Sequence, residues 1–291
     1  MKNVMSNKFV ITLYVLPALI LILLLIYIPI VLTGYYGLMD WNGIGKMKFI
    51  GLDNYIELVK DKLFWQSTWH SLLLGLFSTV SLVGYLILSL ILASKIKGAN
   101  FLRKIYLIPM LLSSVAIGQL WAKIFDPTNG MINRLLIIFG VDNPPVWLAD
   151  SKIALYALFF PIVWQYAGFY IIIFYAALKN VPEELIEAAK IDGATSIQIA
   201  YKIKLPLIAG VIKVMVILAI VGSLKYFDLI FVLTGGGPNH ASEVMASYMY
   251  SEAFSKYNFG YGSAIGFGLL IICLVMTWLI QKLLSSKEVE F

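Results

Sequence analysis

Six apolar runs set the terms for this chain: Phe9 to Leu32, Ser71 to Ser94, Phe101 to Trp121, Ile153 to Leu178, Leu205 to about Leu224, and Gly262 to Leu284. A helix of about 20 apolar residues is what roughly 30 Å of hydrocarbon demands. A water-soluble core has no use for six such runs. Hydrophobic residues make up 60% of the 291 positions and charged residues 13%, against about half and a quarter in soluble domains. The expected fold is therefore all-α: a polytopic membrane protein of six transmembrane helices forming one domain over residues 1–291. The lipid bilayer is its first partner. Lys2 and Lys8 ahead of the first run resemble a signal peptide. That run is longer than a signal's apolar region and no small-residue cleavage site follows, so an uncleaved first helix is expected.

Basic residues orient the spans. With the N-terminus inside, the inner segments are 1–8, 95–104, 179–204 and 282–291. They carry twelve of the 22 Lys and Arg residues, against nine in the much longer outer loops and Lys213 within the fifth run. Cytoplasmic segments are the ones enriched in Lys and Arg, so both termini are expected in the cytoplasm. Aromatic residues collect at span ends (Tyr35, Tyr36, Trp41, Trp65, Trp69, Trp121, Trp147), as they do at membrane interfaces. The net charge of +6 is spread around the apolar runs and forms no patch, so no nucleic-acid partner is expected. Cys273 is the single cysteine and sits within an apolar run, where a thiol acts as a small hydrophobe.

One inner loop is too elaborate to be a simple connection. Residues 179–206 read KNVPEELIEAAKIDGATSIQIAYKIKLP. Pro182 suits a helix start, and Glu183 and Glu184 complement the positive end of the helix dipole. Leu185, Ala188, Ala189 and Ile191 make a small apolar face, and Gly193 suits the left-handed residue that ends a helix. A second short helix is expected over 194–204, with Ile197, Ala200 and Tyr201 on one side. Connections between helices usually need only a few residues. A helix-turn-helix here reads as a docking element for a cytoplasmic protein.

Glu187-Ala188-Ala189, Asp192-Gly193-Ala194 and Ile203-x-Leu205-Pro206 resemble the EAA loop of ABC importer permeases, with its full spacing. The resemblance implies that the loop helix sits in a cleft of an ATPase subunit, with Glu187 as anchoring acid and Gly193 as hinge. Ala200 departs from the pattern, where such loops usually carry Phe, and Tyr201 beside it is the candidate aromatic contact. The stretch Lys225 to Pro238, ending in Thr-Gly-Gly-Gly-Pro, together with Phe49 to Tyr55 and Phe259 to Ala264, resembles carbohydrate permeases of the maltose and glycerol-phosphate type. The expected plan is the simpler six-span one of the group, without the extra outer domain and N-terminal spans of the maltose-system subunit. The resemblance implies the type I ABC importer permease fold and location in the cell (inner) membrane. The implied partners are a second homologous permease subunit, two cytoplasmic ATPase subunits and an extracellular or periplasmic sugar-binding protein. It implies no cofactor in this chain, with ATP and Mg held by the ATPase partners.

A sugar crossing a bilayer needs aromatic faces for its C–H surface and hydrogen-bonding groups for its hydroxyls. Trp164, Gln165, Tyr166 and Phe169 lie mid-way along the fourth run, and Ser223 and Tyr226 near the outer end of the fifth. Polar groups at that depth face a cavity or bond another helix. By the resemblance, Gln165, Tyr166, Phe169, Ser223 and Tyr226 fall where the maltose-type subunit contacts sugar. Catalytic chemistry has no visible home: the sequence contains no Gly-x-x-x-x-Gly-Lys-Ser/Thr loop, no Gly-x-Ser-x-Gly elbow, and no His/Cys spacing for a metal. Two alternatives stay open, an importer for another small solute and a self-sufficient secondary carrier. The lack of acidic residues mid-membrane argues against the carrier.

Overall fold

The computed structural model describes residues 8–94 and 96–284. Lys2, Lys95, Lys287 and the two termini lie outside the described residues. In chain order the elements are α1 (Val10–Tyr36, with a π turn at Leu23–Tyr27), a two-residue pair β1 (Met39–Asp40) and β2 (Lys48–Phe49), α2 (Asp53–Lys60) and α3 (Lys62–Ala93). Next come α4 (Ala99–Leu111), α5 (Ser114–Ile124), α6 (Met131–Ile138), α7 (Ala154–Lys179), α8 (Glu183–Ile191) and α9 (Ser196–Ile199). The chain closes with α10 (Leu205–Leu207), α11 (Ala209–Leu224), α12 (Asp228–Leu233), α13 (Met245–Tyr250) and α14 (Phe259–Leu283). Among the described residues, 5 helices are long and apolar enough to cross a membrane, or 6 with the α4–α5 pair as one span.

That pair is where backbone chemistry interrupts an apolar pattern. The run from Phe101 to Trp121 reads as one helix by hydropathy, yet α4 and α5 meet at 99°. Pro109 cannot donate to the preceding turn. Leu112 and Ser113 are extended, and Ser113 Oγ accepts from Ala116 N at 3.2 Å to cap a new helix. Leu and Ser keep the run apolar enough to conceal the break.

The described residues form two compact units, those up to Phe64 with Tyr248–Ile271, and those of Trp65–Ser247 with those from Ile272 on. In the first, β1 and β2 pair antiparallel, Met39 opposite Phe49. Asn54 Nδ2 holds the turn before them by donating to the carbonyls of Gly37 at 3.0 Å and Met39 at 2.9 Å. Asp61 Oδ2 accepts from the hydroxyls of Tyr248 and Tyr261, each at 2.6 Å, and Oδ1 from Leu63 N at 2.8 Å. Partial burial pushes the Asp61 carboxyl upward, but these donors outweigh it and hold the group below its ordinary range. No residue in the apolar stretch of α1 is buried among the described residues, so most of its cover comes from outside the chain.

Two of the apolar clusters in the second unit set the helices around the candidate cavity. One gathers Leu74, Ile117, Leu158, Ile162, Leu229 and Ile230, joining α3, α5, α7 and α12. The other gathers Leu82, Tyr85, Tyr170, Phe174 and Met215, joining α3, α7 and α11. These cores fix the helices that carry the candidate site.

Candidate functional site: a capped hairpin and a membrane cavity

The hairpin of residues 182–206 is held by its backbone caps. Helix α8 begins at Glu183, one residue later than Pro182 suggests, because Pro182 is the extended residue in front of it. Gly193 takes φ +80°, Ala194 N donates to Ala189 O at 2.9 Å and Gly193 N to Lys190 O at 3.0 Å. This is a Schellman ending, and it explains why Asp192-Gly193-Ala194 follows Ala189: the glycine supplies the left-handed turn. Thr195 then opens α9 with a capping box, its hydroxyl accepting from Gln198 N at 3.3 Å while Gln198 Oε1 accepts from Thr195 N at 2.7 Å. The second helix is shorter than expected. It passes into a π turn at Ala200–Lys204 before α10.

Ile186 faces inward, packing against the buried Leu178, Val181 and Ile208 at the ends of α7 and α11. The other side of the hairpin is open. Ile191 is 87% exposed, Ile197 81% and Tyr201 72%. Glu187, Ala188, Asp192, Gly193 and Pro206 are exposed too, while Ala189, Ala194 and Leu205 are half-buried.

The second feature is a cavity of about 200 Å³ between α3, α4, α7 and α11. Tyr166, Phe169, Ser223 and Tyr226 line it, as do Ser78, Ser81, Tyr85, Met110 and Tyr170. Two of the residues singled out in the sequence are placed differently. Gln165 is buried behind the wall, where its Oε1 accepts from Tyr226 Oη at 3.2 Å. Trp164 does not line the cavity and instead meets Trp121 edge-to-face at 6.1 Å. Ser223 Oγ donates to Ala219 O at 2.8 Å and lies 3.1 Å from Ser78 Oγ. Tyr85 Oη donates to Val163 O at 2.7 Å, and its ring stacks on Tyr170 at 5.7 Å. Ser78, Ser81 and Tyr85 were the missed wall. Their spacing of three and four residues inside an apolar run was the available signal.

Residues 85–287 match the family model described as binding-protein-dependent transport system inner membrane component. The chain belongs to that family.

Among its relatives, the probable ABC transporter permease protein PH1215 of Pyrococcus horikoshii is 39% identical over 91% of this chain and 92% of its own. The trehalose/maltose transport system permease protein MalF of Thermococcus litoralis is 35% identical over 93% of this chain and 91% of its own. In fold the chain is similar to a subunit of a solved bacterial alginate ABC transporter in complex with an alginate pentasaccharide-bound periplasmic protein. That likeness has a TM-score of 0.81 at 22% identity and covers 98% of this chain and 96% of that one. The fold is accordingly that of a type I importer permease, and the protein is a multi-pass inner membrane component.

In this inner membrane component the triglycine segment has a specific structural job. Gly236 sits at φ +87°, and a Cβ there would lie 2.5 Å from Glu243 Oε2. Glu243 is 4% exposed, so its carboxylate needs partners. Oε1 accepts from Ser247 Oγ at 2.5 Å, and Oε2 lies 2.9 Å from His240 Nδ1. Ser242 adds a bond to Thr234 at 2.8 Å, and His70 Nδ1 reaches the Glu243 carbonyl at 2.8 Å. Asp228, which could have paired with Lys225, instead opens α12 and accepts from Ser114 Oγ at 3.4 Å.

Proposed function

We propose that this chain is the transmembrane subunit of an ATP-driven importer, passing a sugar or oligosaccharide from an external binding protein into the cytoplasm. The observation that carries this reading is the hairpin: a doubly capped helix pair with Ile191, Ile197 and Tyr201 turned outward. A rigid element that presents apolar side chains on its open side fits a protein cleft. The partners in this reading are two cytoplasmic ATPase subunits, where ATP and Mg bind and hydrolysis occurs, and a second permease subunit completing the pore. Glu187, Ala188, Ala189, Asp192, Gly193, Ala194, Tyr201, Leu205 and Pro206 form the coupling segment. Both termini lie in the cytoplasm and residues 1–291 act as one permease domain. The sugar assignment draws on the trehalose/maltose relative and on the cavity, where tyrosine, phenylalanine and serine side chains offer the faces and hydroxyls that a sugar requires. Tyr166, Phe169, Ser223 and Tyr226 contact solute directly, with Gln165 orienting Tyr226 and Trp164 outside the contact set.

The test is a pull-down of the tagged full-length chain from detergent, followed by an ATPase assay. An ATPase and a second permease should co-purify, and Glu187→Ala or Gly193→Pro should lose the ATPase or uncouple its activity from transport. If the chain purifies alone and transports solute in vesicles with the loop variants unaltered, the stand-alone carrier replaces this reading. The double variant Gln165→Ala with Tyr166→Ala should assemble normally yet abolish uptake. Unchanged transport by that variant removes the cavity from the solute path.

A further inference from the structure

A second, larger cavity of about 810 Å³ lies at the other end of the same helices, between the last turns of α3 and α7, helix α8 and the π turn at Ala200–Lys204. Its two sides differ in chemistry. The α3 wall is Ile87, Leu90 and Ile91, of which Ile87 is 52% and Ile91 47% exposed, so this side opens toward the space the bilayer fills. The opposite rim carries three amines, Lys179, Lys190 and Lys204, with Glu183 as the carboxylate among the lining residues. None of the three lysines forms an ion pair with a carboxylate among the described residues. Lys204 is held below the ordinary lysine range by partial burial and then by the charges of Lys179 and Lys190. Three amines against one carboxylate leave the groove with a positive excess that suits an anion.

We propose that this groove binds the headgroup of an anionic phospholipid, its phosphate against Lys179, Lys190 and Lys204 and its acyl chains along Ile87, Leu90 and Ile91. A soluble phosphate would use the lysines and leave the apolar wall bare. An amphiphile satisfies both sides, and a groove open toward hydrocarbon at a span end is where a lipid enters. The lipid would then touch α8 through Lys190, placing a membrane component against the hairpin. The inference needs the membrane fold but not the identity of the transported solute.

The experiment is native mass spectrometry of the full-length chain titrated with phosphatidylglycerol or phosphatidylcholine. It compares the unmodified chain with the triple variant Lys179→Gln, Lys190→Gln, Lys204→Gln. A basic residue near an anionic surface strengthens binding about fivefold, so the triple variant should hold phosphatidylglycerol roughly a hundredfold more weakly. Phosphatidylcholine binding should be unchanged. The matching arginine triple variant should retain the lipid, and Lys46→Gln with Lys48→Gln should have no effect, which separates loss of the site from loss of folding. Equal retention of phosphatidylglycerol by the glutamine variant overturns the proposal. So does displacement of the lipid by inorganic phosphate, because that outcome makes the groove a soluble-anion site.

Discussion

The hairpin of residues 182–206 and the turn of residues 234–247 are both short, glycine-punctuated links between helices, yet they treat their side chains in opposite ways. The turn answers its buried charge from within and is tied to α3 through His70 and Ser71. It buries a carboxylate, Glu243, and answers it with Ser247 and His240, and Gly236 is glycine because the carboxylate occupies the space of a Cβ. The hairpin tucks in Ile186 and Ile199 and caps its backbone through the Gly193 ending and the Thr195 cap, yet leaves Ile191, Ile197 and Tyr201 in the open. A segment that answers its buried charge from within has a conformation to keep. One that caps its backbone and exposes isoleucine has a surface to offer.

The same substitution at the two glycines probes this contrast most strongly. Gly236→Ala combines left-handed strain with a contact that the carboxylate must yield to, and should cost roughly 2–5 kcal/mol. Gly193 also has positive φ but open space around its missing Cβ, so Gly193→Ala should cost only about 1–2 kcal/mol. Thermal melts of the purified chain should rank them in that order. Equal losses would mean the turn is no more tightly built than the hairpin.

Next in size is a pair of carboxylate variants. Glu243→Gln should destabilise by roughly 1–3 kcal/mol, since a buried charged acceptor with two partners is replaced. Glu187→Gln, at an exposed position, should leave the melt within about 0.5 kcal/mol while lowering ATPase retention in the pull-down. Ile197→Ser should behave like the second member: stability unchanged within about 0.5 kcal/mol, but several-fold less co-purified ATPase. Full retention would show that the exposed face is not the docking face.

The smallest effect belongs to Asp61, which anchors the first unit through Tyr248 and Tyr261. Its carboxyl is depressed in the folded chain, so its stabilisation is complete above the ordinary value of about 3.8 and is lost as pH falls through the depressed value. Partial exposure keeps the contribution below about 1 kcal/mol. Acid titration of the melting temperature should be steeper in that range for the unmodified chain than for Asp61→Asn.

Periodicity and composition carried the sequence reading far where one residue type decides the outcome. Apolar runs located the helices, and the spacing of Glu187, Gly193 and Pro206 located the hairpin. Reading failed where two elements had to meet. Within Phe101 to Trp121 Pro109 marks a weak point but does not announce a 99° bend, because the new helix is opened by a single side-chain cap at Ser113. The bond from Tyr226 to Gln165 joins residues 61 apart, so the burial of Gln165 could not be read from its neighbours in sequence. The serines of α3 were overlooked because each alone is an ordinary small residue, and only the packing of α3, α7 and α11 sets them around one space. Glu243 was invisible for the converse reason: a glutamate in a loop looks solvated until its neighbours are known.

The bonds lining the cavity have a further consequence. Tyr226 already donates to Gln165, Tyr85 to Val163 and Ser223 to Ala219. In the proposed reading, a solute that enters this cavity finds these protons engaged and exchanges one hydrogen bond for another of similar strength. Each exchange is nearly neutral, so residence is brief and the route has shallow wells. Conduction favours such a profile, because a site that holds its cargo hard enough to be a receptor would also be a plug.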